Sequence, residues 1–391
     1  MNRTRIAWLA LACALIGLVV GLWAGGHPAD LPGFLRGAFV SDDRATRAEL
    51  IDSIEDNFYR PVSRSALEDA SLKGIVRALH DPFSHYLTPQ EAKSFQESVE
   101  GQFEGVGMSV AEDRRGLRVV NVFAGSPAVR AGIRRGDLIT AVNGRSIAGE
   151  SSEVATAKIK GRPGTHVRLG VLSRASGRHR DVTLVRARIE VPVARGRIVT
   201  RGGHKLAVIQ LLSFSSGAHG FVDRAVRSAV ARGAQGVVLD LRGNGGGLLR
   251  EAVLVASAFI ERGKIVSVRG RHRPERTEDA TGGAIAPRIP LVVLVDRGSA
   301  SASEIVTGAL RDHRRATVVG TRTFGKGLVE EVQPLSNGGL LDLTVARYYL
   351  PDGEGIGRRG IAPQVPARDN PRTGPDEAVP TALDVLLKQL R

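Results

Sequence analysis

Few residues in this sequence combine the right side-chain type with the right neighbours to do chemistry. The run Val293 to Ile305 passes from an apolar strand pattern through Gly298-Ser299-Ala300-Ser301-Ala302-Ser303 into a helical pattern. A serine there meets a helix N-terminus, where unpaired backbone N–H groups and the positive dipole end can hold an oxyanion. Two readings stand at this point: Ser299, Ser301 and Ser303 are N-cap residues, or one of them is a nucleophile. A nucleophilic serine needs a base. Lys326, one of only eight lysines, sits 25 residues after Ser301 in Thr323-Phe324-Gly325-Lys326-Gly327. An ordinary lysine, with a pKa of about 10.4, is protonated at neutral pH and serves as a base only if its surroundings lower that value by about three units. The apolar neighbours Phe324 and Leu328 are suited to that. Competing arrangements are missing: there is no GxSxG elbow, no HExxH, and no His–Asp partner order among nine histidines. The single cysteine, Cys13, excludes an internal disulfide, a CxxC redox site and a cysteine zinc cluster. No metal and no organic cofactor is implied, and a Ser–Lys dyad is the best remaining option.

These residues must be held by something. A chain of 391 residues is long enough for two or three domains. From about Leu206 strand and helix patterns alternate: strands at Leu206–Leu212, Val237–Leu241, Leu291–Val295 and Thr317–Val319, helices at Phe221–Ala231, Leu249–Ile260 and Ala302–Arg311. That alternation predicts an α/β core with a mainly parallel sheet, and Leu328–Val332 reads as a further strand. Residues 101–188 show short β-branched runs between glycine turns, a small β-rich module. Helical spacing dominates from about Arg44 to Phe103, and a Pro-rich tail ends in an amphipathic helix at Thr381–Leu390. The expected division is 1–30 as a signal anchor or signal peptide, 40–100 helical, 101–190 β-rich, 191–366 the core, and 367–391 a tail and helix.

Arg3 and Arg5 precede Ile6–Ala24, a run without charge that is long enough to cross a bilayer as a helix. It fits an uncleaved signal anchor better than a cleaved signal peptide. With the two arginines held inside, the rest of the chain is expected outside the cytoplasm, on the periplasmic side of the inner membrane in a Gram-negative source. The formal charge is +15, nearly all from arginine. Nucleic acid is not the expected partner, because aromatics are only 4% and the arginines are dispersed, apart from Arg269, Arg271, Arg273 and Arg276 around His272. That cluster is expected to be a solvated basic loop.

Two resemblances follow from the motifs. Gly105-Val106-Gly107-Met108, then Gly125-Ser126-Pro127-Ala128, Ala131-Gly132-Ile133-Arg134-Arg135-Gly136-Asp137-Leu138-Ile139 and Val142-Asn143-Gly144, resemble the carboxylate-binding loop and central segment of PDZ domains. Successive glycine N–H groups can converge on an anion, and an open sheet edge lets a peptide add as a strand. The pattern GSASASEI with FGKG downstream resembles the C-terminal processing (tail-specific) serine peptidases, as do Leu79–Leu87, Arg347–Pro351 and Gly360–Pro363. The resemblance implies a core related to the crotonase and caseinolytic-protease folds with an inserted PDZ domain. It implies Ser301 as nucleophile, Lys326 as base, Glu330 as third catalytic residue, and the N–H groups of Ala302 and Gly246 as oxyanion donors. Gly105, Val106, Gly107 and Met108 would bind the substrate's C-terminus.

This sequence departs from that family pattern twice. Gly245 stands where the family's DLRxNPGG loop has proline, and Glu330 stands where it commonly has glutamine. Two other patterns nearly match. Gly320–Lys326 fits GxxxxGK, but Gly327 replaces Ser/Thr and a strand follows instead of a helix; Leu248 breaks a dinucleotide fingerprint begun at Gly243. The expected function is an extracytoplasmic serine endopeptidase acting on proteins or peptides with accessible C-termini, with the membrane as its N-terminal partner and self-association left open. The rival is a non-catalytic PDZ scaffold that binds C-termini.

Overall fold

Continuous apolar runs become the central strands of a parallel sheet. In the computed structural model, which describes residues 16, 17, 20, 42–57, 62–271, 273–357, 359–369 and 376–390, Gly236–Asp240 and Leu291–Val295 are buried at every position. Strands covered on both faces need no polar alternation. His204–Leu211, Gly236–Asp240, Leu291–Val295, Thr317–Gly320 and Val365–Pro366 follow one another in parallel register. Ala194–Arg201 is added antiparallel at one edge through the turn at Gly202 and Gly203, both at positive φ. This edge strand was not expected from the sequence. Its exposed positions carry Arg195, Gly196 and Arg197, which hide the usual pattern.

Side chains alternate across the sheet. Ala207, Ile209, Val237, Leu239, Val293 and Val295 face helices Ala218–Ala231, Leu249–Ser257 and Ala302–Asp312. Leu206, Val208, Val238, Val292, Leu294 and Val319 face the C-terminal helix Ala378–Gln389 through Ala382, Leu383 and Leu386. The helix begins where the Asp376 carboxylate accepts the N–H groups of Ala378 and Val379. Arg242, just beyond the carboxyl end of Gly236–Asp240, bonds Asp240 and Asp376 together. Burial alone would raise the Asp376 pKa, but the guanidinium and the two helix N–H groups outweigh it and hold the carboxyl below its usual range.

The basic cluster is not a loop. Lys264–Gly270 and Arg273–Asp279 form an antiparallel hairpin, and Lys264–Gly270 also pairs with Leu340–Tyr349. Opposite charges make this work: Arg269 pairs with Glu275 across the hairpin at 3.0 Å, Arg276 pairs with Glu278, and the Arg269 guanidinium lies 4.5 Å from the Tyr349 ring centre.

The chain divides into two units. One contains Met1–Thr88 with Gln333–Asp342. It includes helices Asp42–Asn57 and Arg64–Arg77 and a strand, His85–Leu87, that pairs antiparallel with Leu340–Asp342. The strand breaks the expected helical stretch because Tyr86 is buried and bonds Asp69 and Asn337 through its hydroxyl. The other unit, Pro89–Val332 with Leu343–Arg391, holds the parallel sheet and the β-rich module. Among the described residues no helix is long and apolar enough to cross a membrane. The apolar run Ile6–Ala24 lies outside them except at Ile16, Gly17 and Val20.

Candidate active site

Three loops leave the carboxyl ends of neighbouring parallel strands, the place where open α/β sheets assemble their sites. The first, after Gly236–Asp240, carries Gly243–Gly247. The second, after Leu291–Val295, carries Asp296–Ser301. The third, after Thr317–Gly320, carries Thr323–Lys326. Short polar contacts pin each to the next. Asp296 Oδ1 accepts the N–H groups of Gly243 and Gly298 at 2.9 and 2.8 Å. The Ser299 hydroxyl donates to the Leu241 carbonyl, and the Ser303 hydroxyl to the Asn244 carbonyl, each at 2.8 Å. Both of these serines are fully buried and committed to structure.

Ser301 is different. It occupies the N-cap of helix Ala302–Asp312 with φ 53° and ψ −112°, a conformation that costs a non-glycine residue about 1–3 kcal/mol. Of the four described non-glycine residues at positive φ it alone precedes a buried helix N-terminus. The next residue, Ala302, presents an N–H for which no acceptor is found among the described residues. Ser301 is thus an N-cap by position, in a strained conformation, and the residue is 7% exposed.

The strain is held by Glu304, one helical turn on. Its carboxylate, wholly buried, accepts the Ser301 N–H at 2.9 Å. It also accepts the N–H groups of Gly325 and Lys326 at 2.8 and 2.9 Å and the Thr323 hydroxyl. Because the amide nitrogens of Ser301 and Lys326 lie 2.9 Å from the same oxygen, they are within twice that distance of each other. Glu304 was not singled out by sequence reasoning. The visible signal was the Ser-x-x-Glu capping box, which gives the contact to Ser301 but not the long-range contacts to Thr323, Gly325 and Lys326. Those two loop amides, engaged by a carboxylate, cannot cradle a phosphate, and Leu328–Pro334 is a strand; the GxxxxGK match is not a P-loop.

Beyond Lys326, Glu330 lies with an oxygen 3.0 Å from the lysine Nζ, as an ion pair. Burial, and after it the nearby Glu330 charge, push the Tyr348 phenol upward, so it stays protonated beside this pair.

Gly246 closes the site from the first loop. A Cβ there would stand 2.9 Å from both the Ala300 oxygen and Ser301 Cβ, and 3.1 Å from the Ala302 nitrogen. Gly246 has φ 108°, so two reasons require glycine. Its N–H donates to Asn244 Oδ1 at 2.9 Å, an engagement that sequence alone did not reveal. Asn244 is fully buried and its amide reaches the Leu211 carbonyl. Gly245, by contrast, has open space at the Cβ position and no positive φ; the site does not need glycine there.

The remaining sequence-selected residues lie in the β-rich module. Its sheet runs Met108–Asp113, Gly116–Val122, Leu138–Val142, His166–Leu172, His179–Val185, which leaves Met108–Asp113 as an edge strand near helix Ser152–Ile159. Gly105 pairs with Ala187. The carbonyls of Val106 and Gly107 accept from Ala128 and Phe123, while their own N–H groups find no acceptor among the described residues. Gly107 is forced to be glycine, with φ 83° and a Cβ position 2.1 Å from Ser126 Cβ. Two adjacent donors in buried residues beside an open strand edge are a geometry able to accept an anion. Among the described residues no group of histidines, cysteines or carboxylates could hold a metal ion.

Comparison with known proteins bears on the same segments. Residues 205–367 match the model of peptidase family S41, and residues 118–173 that of the PDZ domain. The carboxy-terminal processing protease CtpA of Bacillus subtilis is 33% identical over 368 residues, covering 94% of this chain and 78% of that protein. A probable CtpA-like serine protease of Staphylococcus aureus is 37% identical over 314 residues, or 80% of this chain. The matched part is only 62% of that relative's own length. Among solved structures, the photosystem II D1 C-terminal processing protease is 28% identical, with 89% of this chain and 97% of that one covered and a TM-score of 0.49.

The two glycines of the first loop should separate cleanly. Gly246→Ala is expected to lower the unfolding free energy by about 2–4 kcal/mol, through backbone strain and collision with the Ser301 loop. Gly245→Ala should leave it unchanged or raise it by about 0.4–1 kcal/mol, by restricting the unfolded chain. Urea denaturation of both variants checks this, and equal losses would mean that the loop's close approach to Ser301 is not what Gly246 provides.

Proposed function

The chain belongs to peptidase family S41 and carries a PDZ domain, and from that premise we propose that it is a serine endopeptidase that recognises protein C-termini and cleaves with a Ser301–Lys326 dyad. The observation that carries this reading is the Glu304 carboxylate shared by the amides of Ser301 and Lys326, which anchors a nucleophile and a base on one group. Deprotonated Lys326 takes the Ser301 proton as Oγ attacks the scissile carbonyl. The tetrahedral oxyanion accepts from the Ala302 N–H at the positive end of helix Ala302–Asp312. Lys326 then gives the proton to the leaving amine, and water resolves the acyl-enzyme by the same proton route. Gly246 joins the oxyanion hole if its N–H is shared away from Asn244.

Substrate enters by its C-terminus. The unpaired N–H groups of Val106 and Gly107 receive the terminal carboxylate while the peptide adds to the Met108–Asp113 edge. Gly105 and Met108 frame that loop. The proposed fold is an α/β core of the crotonase and caseinolytic-protease type, with the PDZ domain inserted before it and a helical region preceding both. The apolar run Ile6–Ala24 supports placement at a membrane, with the catalytic unit outside the cytoplasm.

A C-terminally tagged, unfolded protein incubated with the full chain tests the dyad. Ser301→Ala and Lys326→Arg should each lower cleavage by more than about a thousandfold without unfolding the protein, because arginine keeps its proton. Cleavage at near wild-type rate by either variant would remove the dyad.

Glu330 gives a second expectation. A carboxylate 3.0 Å from the lysine nitrogen favours the charged ammonium, which cannot accept the serine proton. Glu330→Gln should therefore move the acidic limb of kcat/KM to lower pH and raise activity near neutrality. Coincident acidic limbs in the two enzymes would show that Glu330 does not tune the base.

A further inference from the structure

At the opposite end of the parallel sheet, by the amino ends of Leu291–Val295 and Thr317–Gly320, lies a groove of about 440 Å³. Its lining includes Arg288, Arg311, Arg314, Arg315, Gln364 and Gln389, and no carboxylate among the described residues. The four cations are not equally balanced. Arg311 is paired with Asp312, Asp352 and Glu354. Arg315 has no such partner: its guanidinium donates to the carbonyls of Phe259, Ala286 and Ile289 at 3.0, 2.7 and 2.8 Å. Burial alone pulls its pKa below the ordinary arginine value, with no carboxylate to draw it back. Arg288 and Arg314 are exposed and form no ion pair among the described residues.

Neutral donors complete the wall. Gln364 Oε1 accepts the Val318 N–H at 2.9 Å, which leaves its amide hydrogens to donate. Gln389 Nε2 donates to Thr317 Oγ1 at 3.0 Å, which leaves the threonine hydrogen to donate. Guanidinium forks match the spacing of phosphate oxygens and bind them in pairs. Arg288 and Arg314 offer their forks, while Arg315, with Nε and one terminal nitrogen spent on carbonyls, adds charge that no carboxylate offsets; a neutral ligand would leave these cations unbalanced, whereas a phosphate group balances them. We propose that this groove, lined by Arg288, Arg314 and Arg315, binds a phosphate-bearing anion, remote from the three catalytic loops. A free phosphate compound and a phospholipid headgroup offer the same chemistry.

Isothermal titration of the full chain at low ionic strength distinguishes them, with sodium pyrophosphate in one arm and monomeric dihexanoyl-phosphatidylglycerol in the other. The comparison uses an Arg288→Glu/Arg314→Glu double variant and, as a control, Arg227→Glu on the exposed face of helix Ala218–Ala231. Saturable binding that the double variant weakens by about tenfold or more, and the control does not, supports the site. If pyrophosphate alone behaves this way the ligand is a free phosphate compound; if the lipid alone does, it is a headgroup. Absence of saturable binding in both arms, or an equal loss in Arg227→Glu, overturns the proposal by reducing the effect to net charge. Peptide cleavage by the double variant should match the wild type, so failure here is separable from failure of the dyad.

Discussion

One buried carboxylate organises the loops at the carboxyl end of the parallel sheet. Glu304 is removed entirely from water, and a buried carboxyl group is tolerated only when its lone pairs are filled. Four donors fill them, and only one belongs to its own helix terminus; the others come from Thr323, Gly325 and Lys326. The loop that carries Lys326 is therefore not free to settle independently of the loop that carries Ser301. Thr323 extends the linkage, because its hydroxyl also accepts the Ile361 N–H at 2.7 Å.

The same constraint explains where the chain tolerates strain. Holding the Ser301 N–H on Glu304 fixes an unfavourable φ at Ser301, and the surrounding contacts over-determine it. Gly246 packs on Ser301 with no room for a methyl group, and the Asn244 carbonyl receives both the Ala300 N–H and the Ser303 hydroxyl. Farther back, Arg242 ties the root of the glycine loop to Asp376 and so to the helix that covers the other face of the sheet. The apolar layers set the strands, and short polar bonds at their carboxyl ends set the chemistry.

Much of this arrangement is legible in the amino-acid sequence. The Val/Leu runs at Gly236–Asp240 and Leu291–Val295, the serine at a helix start and the rare lysine 25 positions later each leave a local mark. The PDZ-like glycines do so too, and Gly107 is required by both its φ and its contact with Ser126. What stays hidden depends on partners distant in sequence. Glu304 looks like half of a capping box until loop 323–326 is folded against it. The Arg269–Arg276 stretch reads as a solvated loop until Glu275, Glu278 and Tyr349 are placed beside its guanidiniums. Arg242 looks like any surface arginine until a tail residue, 134 positions away, closes on it.

The central claim is that Glu304 holds the serine loop and the lysine loop in one register. Amide hydrogen exchange in Glu304→Gln tests it most directly, since glutamine keeps the shape but turns two of the acceptor positions into a donor group. Exchange at Ser301, Gly325 and Lys326 should quicken together by about tenfold or more, while the strand amides at Val238 and Val293 remain protected. Quickening confined to Ser301, with Gly325 and Lys326 exchanging as in the wild type, would contradict it.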